Sequence, residues 1–210
     1  MAANMNLIIK RCFTNATRVI DRFHVQKLAA EAVQSIRIKY RWESIEQDNV
    51  ALENAQKKNV EYKPEIFNNG DTTRQLLARS RHLLFKSENR WTPSQFARAK
   101  LLFKYFPKIE QAYKLAQELS FIYENNYDKR VAIVKLAKWY NKVENSGFKE
   151  FNTVSKSIQL HYQSIVNFFD NRSTNASAES FNAKLKDFRR EFKGVRDTKF
   201  FLFRLTQIFA

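Results

Sequence analysis

Residues 15–33, NATRVIDRFHVQKLAAEAV, hold the change of pattern on which the fold turns. The first half, NATRVIDRF (15–23), carries a turn signal followed by β-branched residues and is the one convincing strand candidate in the chain. From His24 the period changes. Val25, Leu28, Ala29, Ala32, Ile36 and Tyr40 recur near i, i+3, i+4 and i+7, which predicts a helix from His24 to about Gln56. A single strand must pair with something, and no other segment offers an obvious partner.

Outward from this stretch, helix signals dominate. Residues 3–13 could form a short helix with Leu7, Ile8 and Cys12 on one face. KKNVEYKPEIFNNGD (57–71) reads as a loop, with Pro64 and an Asn-Asn-Gly turn, and Asp71 is placed to cap the next helix. That helix would carry Leu76, Leu77, Leu83 and Leu84, a seven-residue repeat of pairs. RWTPSQF (90–96) is a clean start: Thr92 as N-cap, Pro93 at the first helical position, Gln95 completing a capping box. Pro107 marks another start, followed by the stripe Ile109, Ala112, Tyr113, Ala116, Leu119 and Tyr123. A further stripe is Ile133, Leu136, Ala137 and Tyr140, with Gly147 at a C-terminal cap position. Phe151, Val154, Ile158, Tyr162, Ile165 and Phe169 share one face of the stretch 149–169. These stripes read as core seams of a helical bundle. The best boundaries are the loop at 57–71 and DNRSTNAS (170–177).

Composition agrees. A chain of 210 residues can bury a core without disulfide or metal staples. With 44% hydrophobic and 14% aromatic residues it is not a disordered chain. Only 3 Gly and 3 Pro leave little material for turns, which argues against an all-β fold and for long helices with short connections. The expected class is mainly α, a helical bundle with one or very few β-strands. The net charge of +16 points to a polyanion partner, nucleic acid first and an anionic membrane surface second, against a merely basic soluble protein. The single cysteine, Cys12, excludes an intrachain disulfide and a Cys-based zinc site, and suits a reducing cytosol. Apolar runs such as VAIVKLA are too short to span a membrane, and the N-terminus lacks the order of a signal peptide. An intracellular protein is expected.

No glycine-rich phosphate loop and no His-x-x-x-His occurs, and His24, His82 and His161 lie far apart. Two segments could carry chemistry. In VIDRFHVQK, Asp21 and His24 sit where the expected strand hands over to a helix, a common place for functional groups. Equally, Asp21 would cap that helix and His24 pack at its start. The second segment is NRSTNASAESFNAKLKDFRREFKG (171–194). On a helix, Glu179, Asn182, Lys186 and Arg190 share one face over about 16 Å, at ~1.5 Å per residue. Phe181, Leu185, Phe188 and Phe192 suit a core on the other side. By spacing alone this is an amphipathic helix with a solvated basic face, its acid complementing the helix dipole.

RVIDRFHVQKLAAEAV and TNASAESFNAKLKDFRREFKGVRDTKFFLFRL resemble two motifs of bacterial insertion-sequence DDE transposases that carry an all-helical insertion in the catalytic core. The second motif falls on Thr174, Asn175, Glu179, Asn182, Lys186, Arg190, Gly194, Phe201 and Arg204. The two ends carry the resemblance; the middle agrees only in being helical and basic. The resemblance implies a ribonuclease-H-like core in which two aspartates and a glutamate bind divalent metal, normally Mg²⁺, for DNA strand cleavage and transfer. Glu179 matches the glutamate. Asp21, with His24 beside it, is an alternative to an aspartate immediately upstream of Met1 for the second catalytic position. Asn175, Asn182, Lys186, Arg190 and Arg204 would meet DNA.

The expected domains are residues 1–23 as a remnant of the ribonuclease-H-like core, 24–170 as the helical insertion, and 171–210 as the C-terminal part of the core carrying Glu179. The strand and that last part should lie together. One strand candidate is far short of the sheet such a core needs. The expectation is a C-terminal fragment that begins just after the second aspartate and does not cut DNA alone. Transposon-end DNA is the expected partner, a homodimer a candidate assembly, no membrane is involved, and the bacterial cytoplasm at the nucleoid is the expected location. The competing readings are a non-enzymatic basic helical module that binds nucleic acid by charge, and a helical protein–protein or membrane-surface module. Arg74, Arg79, Arg81, Arg90 and Arg98 fit both nucleic-acid readings.

Overall fold

The structure, a computed structural model, describes residues 7, 11–172, 176–192 and 196–209. The chain divides into two compact units, Met1–Asn171 and Arg172–Ala210. Among the described residues there is no strand, only an isolated antiparallel bridge between Ile66 and Thr72. The chain is mainly α-helical, as its composition predicts.

The spine of the first unit is α1 (Arg22–Lys57). Asp21 starts it: its carboxylate accepts from the Phe23 N–H at 3.0 Å. Val25, Ala29, Ala32, Val33 and Ile36 are buried along one side, and beyond Ser44 no residue of α1 is buried. The core therefore lies against the first half of α1. There α1 meets α2 (Thr73–Arg79), α4 (Pro107–Asn125) and α6 (Lys149–Leu160). Helix α3 (Pro93–Tyr105) packs on α4, and α5 (Lys129–Ser146) packs on α4 and α6. Two short helices, α7 (Tyr162–Val166) and α8 (Phe168–Asn171), close the unit.

The Thr92–Gln95 capping box, Pro93 at the start of α3, and Gly147 in the left-handed region (φ 71°) ending α5 all form as their sequence signals predict. The α4 stripe is buried as expected, with Leu115 and Ile122 added. In α5 the buried face is turned slightly: Ala132, Leu136, Trp139 and Val143 are buried, whereas Ala137 is exposed. Trp139 decides this rotation. Its indole is wholly buried and its N–H donates to the Leu115 carbonyl at 2.9 Å, a larger apolar area than Ala137 could bury.

Two expectations need correction. Residues 16–21 do not form a strand. The segment has no regular secondary structure and lies on α7, where the Ile20 N–H donates to Ser164 O at 2.8 Å and Asn167 Nδ2 donates to Arg18 O at 3.1 Å. Arg18 Nε also donates to Ser164 Oγ at 2.8 Å. The β-branched residues Val19 and Ile20 pack against the helical core in place of a neighbouring strand. Asp71 does not cap α2. Thr72 does, in a capping box with Gln75, while Asp71 is wholly buried beneath it and takes Arg79 and Arg98 as partners. The short helix expected at 3–13 falls largely outside the described residues, of which Leu7, Arg11 and Cys12 are helical.

The second unit contains α9 (Ala176–Glu191) and α10 (Thr198–Phe209). The Asp197 carboxylate accepts from the N–H groups of Lys199 and Phe200, at 2.8 and 3.1 Å, and so caps α10. Phe188 of α9 stacks near Phe192 (centroids 4.6 Å) and Phe201 of α10 (5.7 Å), which ties the two helices together. No described helix is long and apolar enough to cross a membrane.

Candidate functional site

Helix α9 carries the most distinctive polar face in the second unit. Glu179 lies in its first turn and Arg189 and Arg190 in its last, charges that complement the helix dipole at both ends. Phe188 is buried, and Glu179, Asn182, Lys186 and Arg190 are all exposed. At ~1.5 Å per residue they make a line of about 16 Å. Glu179 and Lys186 take part in no ion pair among the described residues. Arg190 meets Asp187 at 2.7 Å, but both side chains are largely exposed, and such a pair contributes only about 0–1 kcal/mol. The guanidinium is therefore available to a stronger anion. Arg204 is exposed on α10. Asn175, with Thr174 and Gly194 of the same motif, lies outside the described residues.

In the first unit, Asp21 and His24 bracket the start of α1. Asp21 is 3% exposed and its carboxylate holds the helix end. His24 is exposed, and its backbone N–H donates to Asp21 O at 3.1 Å. Asp21 belongs to the first unit and Glu179 to the second. Among the described residues no group of three or more His, Cys, Asp or Glu side chains comes together. Divalent-metal phosphoryl transfer needs several oxygen ligands around the ions. The described residues do not bring such a set together.

Sequence reasoning missed the arrangement of arginines in the first unit. Arg79 and Arg98 converge on the buried carboxylate of Asp71, which also accepts from Asn69 Nδ2 at 2.8 Å. Arg37 is 4% exposed and has no carboxylate partner among the described residues. Its Nε donates to Gln34 Oε1 at 2.7 Å and its Nη1 to Leu77 O at 2.8 Å. A signal was present: Arg37 directly follows Ile36 and stands one turn beyond Val33, inside the buried stripe of α1.

A family model described as "Transposase", for DDE transposases of the ISL3 type, matches residues 1–205. No curated protein and no solved structure matches the chain.

Proposed function

We propose, for a chain that belongs to the ISL3-type DDE transposase family, that it binds transposon-end DNA and that the exposed face of α9 is a DNA-facing track headed by the family's glutamate. The observation that carries this reading is the continuous exposed polar line along α9. Glu179, Asn182, Lys186 and Arg190 are all exposed, while Phe188 is buried against Phe192 and Phe201. Lys186 and Arg190 suit phosphate contacts, Arg190 through a fork that can take two oxygens at once. Asn182, Arg204 and Asn175 are assigned to the same contact surface on the strength of the motif.

Glu179 is assigned as a ligand for divalent metal, with Mg²⁺ the ion its hard carboxylate oxygens suit. A helix mounts it more rigidly than a loop would. When bound, such metal supplies charge stabilisation to the attacking and leaving oxygens of a phosphodiester. Asp21 is assigned to the structure of α1 rather than to metal, because its buried carboxylate already serves the helix N-terminus.

The test separates the two roles on α9. Placed in a complete, active transposase, Glu179→Gln removes a charge but keeps the shape, and is expected to abolish transposition of a marked element while changing DNA affinity by less than about threefold, within the range of an exposed surface charge. Lys186→Gln with Arg190→Gln is expected to weaken DNA binding and to lower the slope of log affinity against log salt by about 0.9 per lost phosphate contact. Transposition by the Glu179→Gln protein at the wild-type rate would remove the glutamate from the reaction. An unchanged salt slope in the double variant would remove the track.

A further inference from the structure

Among the described basic residues of the first unit that take part in no ion pair, three arginines are near neighbours: Arg41 and Arg81 both act on the charge of Arg37. Arg37 and Arg41 stand one turn apart on α1, with Cβ atoms separated by about 5–6 Å for such a pair. Arg81 lies in the turn after α2, and its carbonyl accepts from Gln34 Nε2 at 3.0 Å. The same Gln34 accepts from Arg37, and Arg37 donates to Leu77 O of α2. This small network fixes the end of α2 and the turn after it against the Arg37 face of α1. None of the three arginines takes part in an ion pair among the described residues.

The contrast with their neighbours is informative. Arg79, two residues before Arg81, shares the buried Asp71 with Arg98. The unit thus neutralises the arginines that join the loop, α2 and α3, whereas Arg37 has no carboxylate among the described residues and has Arg41 and Arg81 near enough to repel its charge. Burial, and after it the like charges of Arg41 and Arg81, hold the Arg37 guanidinium below its ordinary pKa. Arginine nevertheless stays charged at neutral pH. The Nε of Arg41 is buried and has no hydrogen-bond partner. Clustered like charge and an unsatisfied buried donor both disfavour the folded free chain. Local rules broken in this way, without a compensating contact, are expected where a ligand completes the site.

We propose that Arg37, Arg41 and Arg81 form a phosphate-binding site on the first unit that receives a backbone phosphodiester of DNA. The proposal rests on the reading of the chain as a DNA-binding transposase, and extends it from α9 to the helical unit. A phosphodiester carries one negative charge and two non-bridging oxygens, which matches the planar fork of arginine. Long side chains rooted one turn apart can converge on a single phosphate. Arg37 is buried behind the site, held by Gln34 and Leu77 O, and contributes charge from there, while the more accessible Arg41 and Arg81 are the two that meet the ligand.

The experiment uses the full chain and a fluorescein-labelled mixed-sequence DNA duplex, titrated by anisotropy across a series of NaCl concentrations. Arg41→Gln with Arg81→Gln is compared with Lys27→Gln with Lys63→Gln, a pair of exposed lysines that removes the same charge. The arginine variant is expected to bind at least tenfold more weakly and to lose about 0.9–1.8 from the salt slope, one or two phosphate contacts. It is also expected to melt at a higher temperature than the wild type. The lysine variant is expected to change affinity less than about threefold, as general electrostatics alone would.

Equal weakening by both pairs, or an unchanged slope in the arginine pair, overturns the site while leaving DNA binding by the chain intact. A wild-type chain that does not bind the duplex at all overturns the DNA reading itself, and the site with it. A second measurement needs no variant: phenylglyoxal labelling of the wild type, mapped by mass spectrometry. Duplex DNA is expected to protect Arg41 and Arg81 but not Arg130, whose side chain is 90% exposed beside Asp128. Equal labelling of Arg41 and Arg81 with and without DNA overturns the proposal.

Discussion

Asp71→Asn is expected to destabilise the first unit by about 2–4 kcal/mol, and the magnitude follows from which partners of the carboxylate are dry. Asp71 is wholly buried and accepts from Asn69, Arg79 and Arg98. A hydrogen bond to a charged group contributes about 1.5–3 kcal/mol net. Arg98 is 26% exposed, at 3.2 Å, and keeps most of that value. Arg79 is 55% exposed, so its share is discounted to about 0–1 kcal/mol because water recovers much of what it loses. Arg79 and Arg98 bond different oxygens, so asparagine keeps an acceptor for one of them and turns its NH₂ toward the other, where no acceptor waits.

For a chain of 210 residues, each kcal/mol moves the melting temperature by about 2–4 °C, so a drop of roughly 5–15 °C is expected. Thermal and urea unfolding followed by far-UV circular dichroism would measure it. Adding Arg98→Gln to the Asp71→Asn chain should cost less than Arg98→Gln costs the wild type, because the shared contact is already gone. A melting shift under about 2 °C, or strict additivity of the two changes, would refute the assignment of Asp71 as the anchor of this corner.

Trp139→Ala is expected to cost about 3–5 kcal/mol in urea unfolding, since a wholly buried indole is lost together with its bond to Leu115 O. Gly147→Ala is expected to cost about 1–2 kcal/mol. A Cβ there would meet nothing within 4 Å, so the whole effect is the left-handed backbone at φ 71°, and a neutral melting curve would contradict it. Asp128 caps α5, and hydrogen bonds from the Arg130 N–H and then the Arg130 side chain hold its carboxyl below the ordinary aspartate range. A depressed folded-state pKa stabilises the fold above the ordinary value near ~4, and the stabilisation fades as pH falls through the depressed one. The melting difference between wild type and Asp128→Asn should therefore be present at pH 6 and shrink on acidification below about 4; a difference that grows in acid would reverse the sign of the effect.

Much of the helical plan was legible because its signals are local. The Thr92–Gln95 box, Pro93, Gly147 and the α4 stripe each depend on residues within a turn or two of one another. What the sequence concealed was set by distant residues. The stretch 16–21 has strand-forming residues, but its backbone partners are Ser164 and Asn167, far along the chain on α7 and at its end. Local propensity can name an extended segment; it cannot say whether a strand or a helix will receive it. Asp71 precedes a helix and so looks like a cap, yet Thr72 with Gln75 makes the better one, which frees Asp71 to be buried against Arg98. The polar line of α9 was legible from helical spacing alone. On the other side Phe188 is buried and Leu185 and Phe192 half-buried as that spacing predicts, but Phe181 is exposed, and the role proposed for Glu179 rests on the motif resemblance and not on the geometry.

The net charge of +16 gains meaning once the acids are located. In the first unit the buried carboxylate of Asp71 collects two arginines and fastens loop, α2 and α3 together. The exposed pairs Lys142–Glu118, Lys114–Glu110 and Lys129–Asp170 lie along or between helix surfaces, where each contributes about 0–1 kcal/mol. No carboxylate pairs with Arg37, Arg41 or Arg81 among the described residues, nor with Lys186. A chain selected only for stability would gain by scattering its acids among those residues, because self-repulsion falls as like charges separate. Many other described lysines and arginines are outside the ion pairs as well, so what sets this corner of α1 apart is that Arg41 and Arg81 lie near enough to Arg37 to repel its charge, which raises the energy of the free protein. On the proposed reading a DNA phosphate offsets that repulsion, and this corner together with the face of α9 should then contribute to the salt dependence of binding.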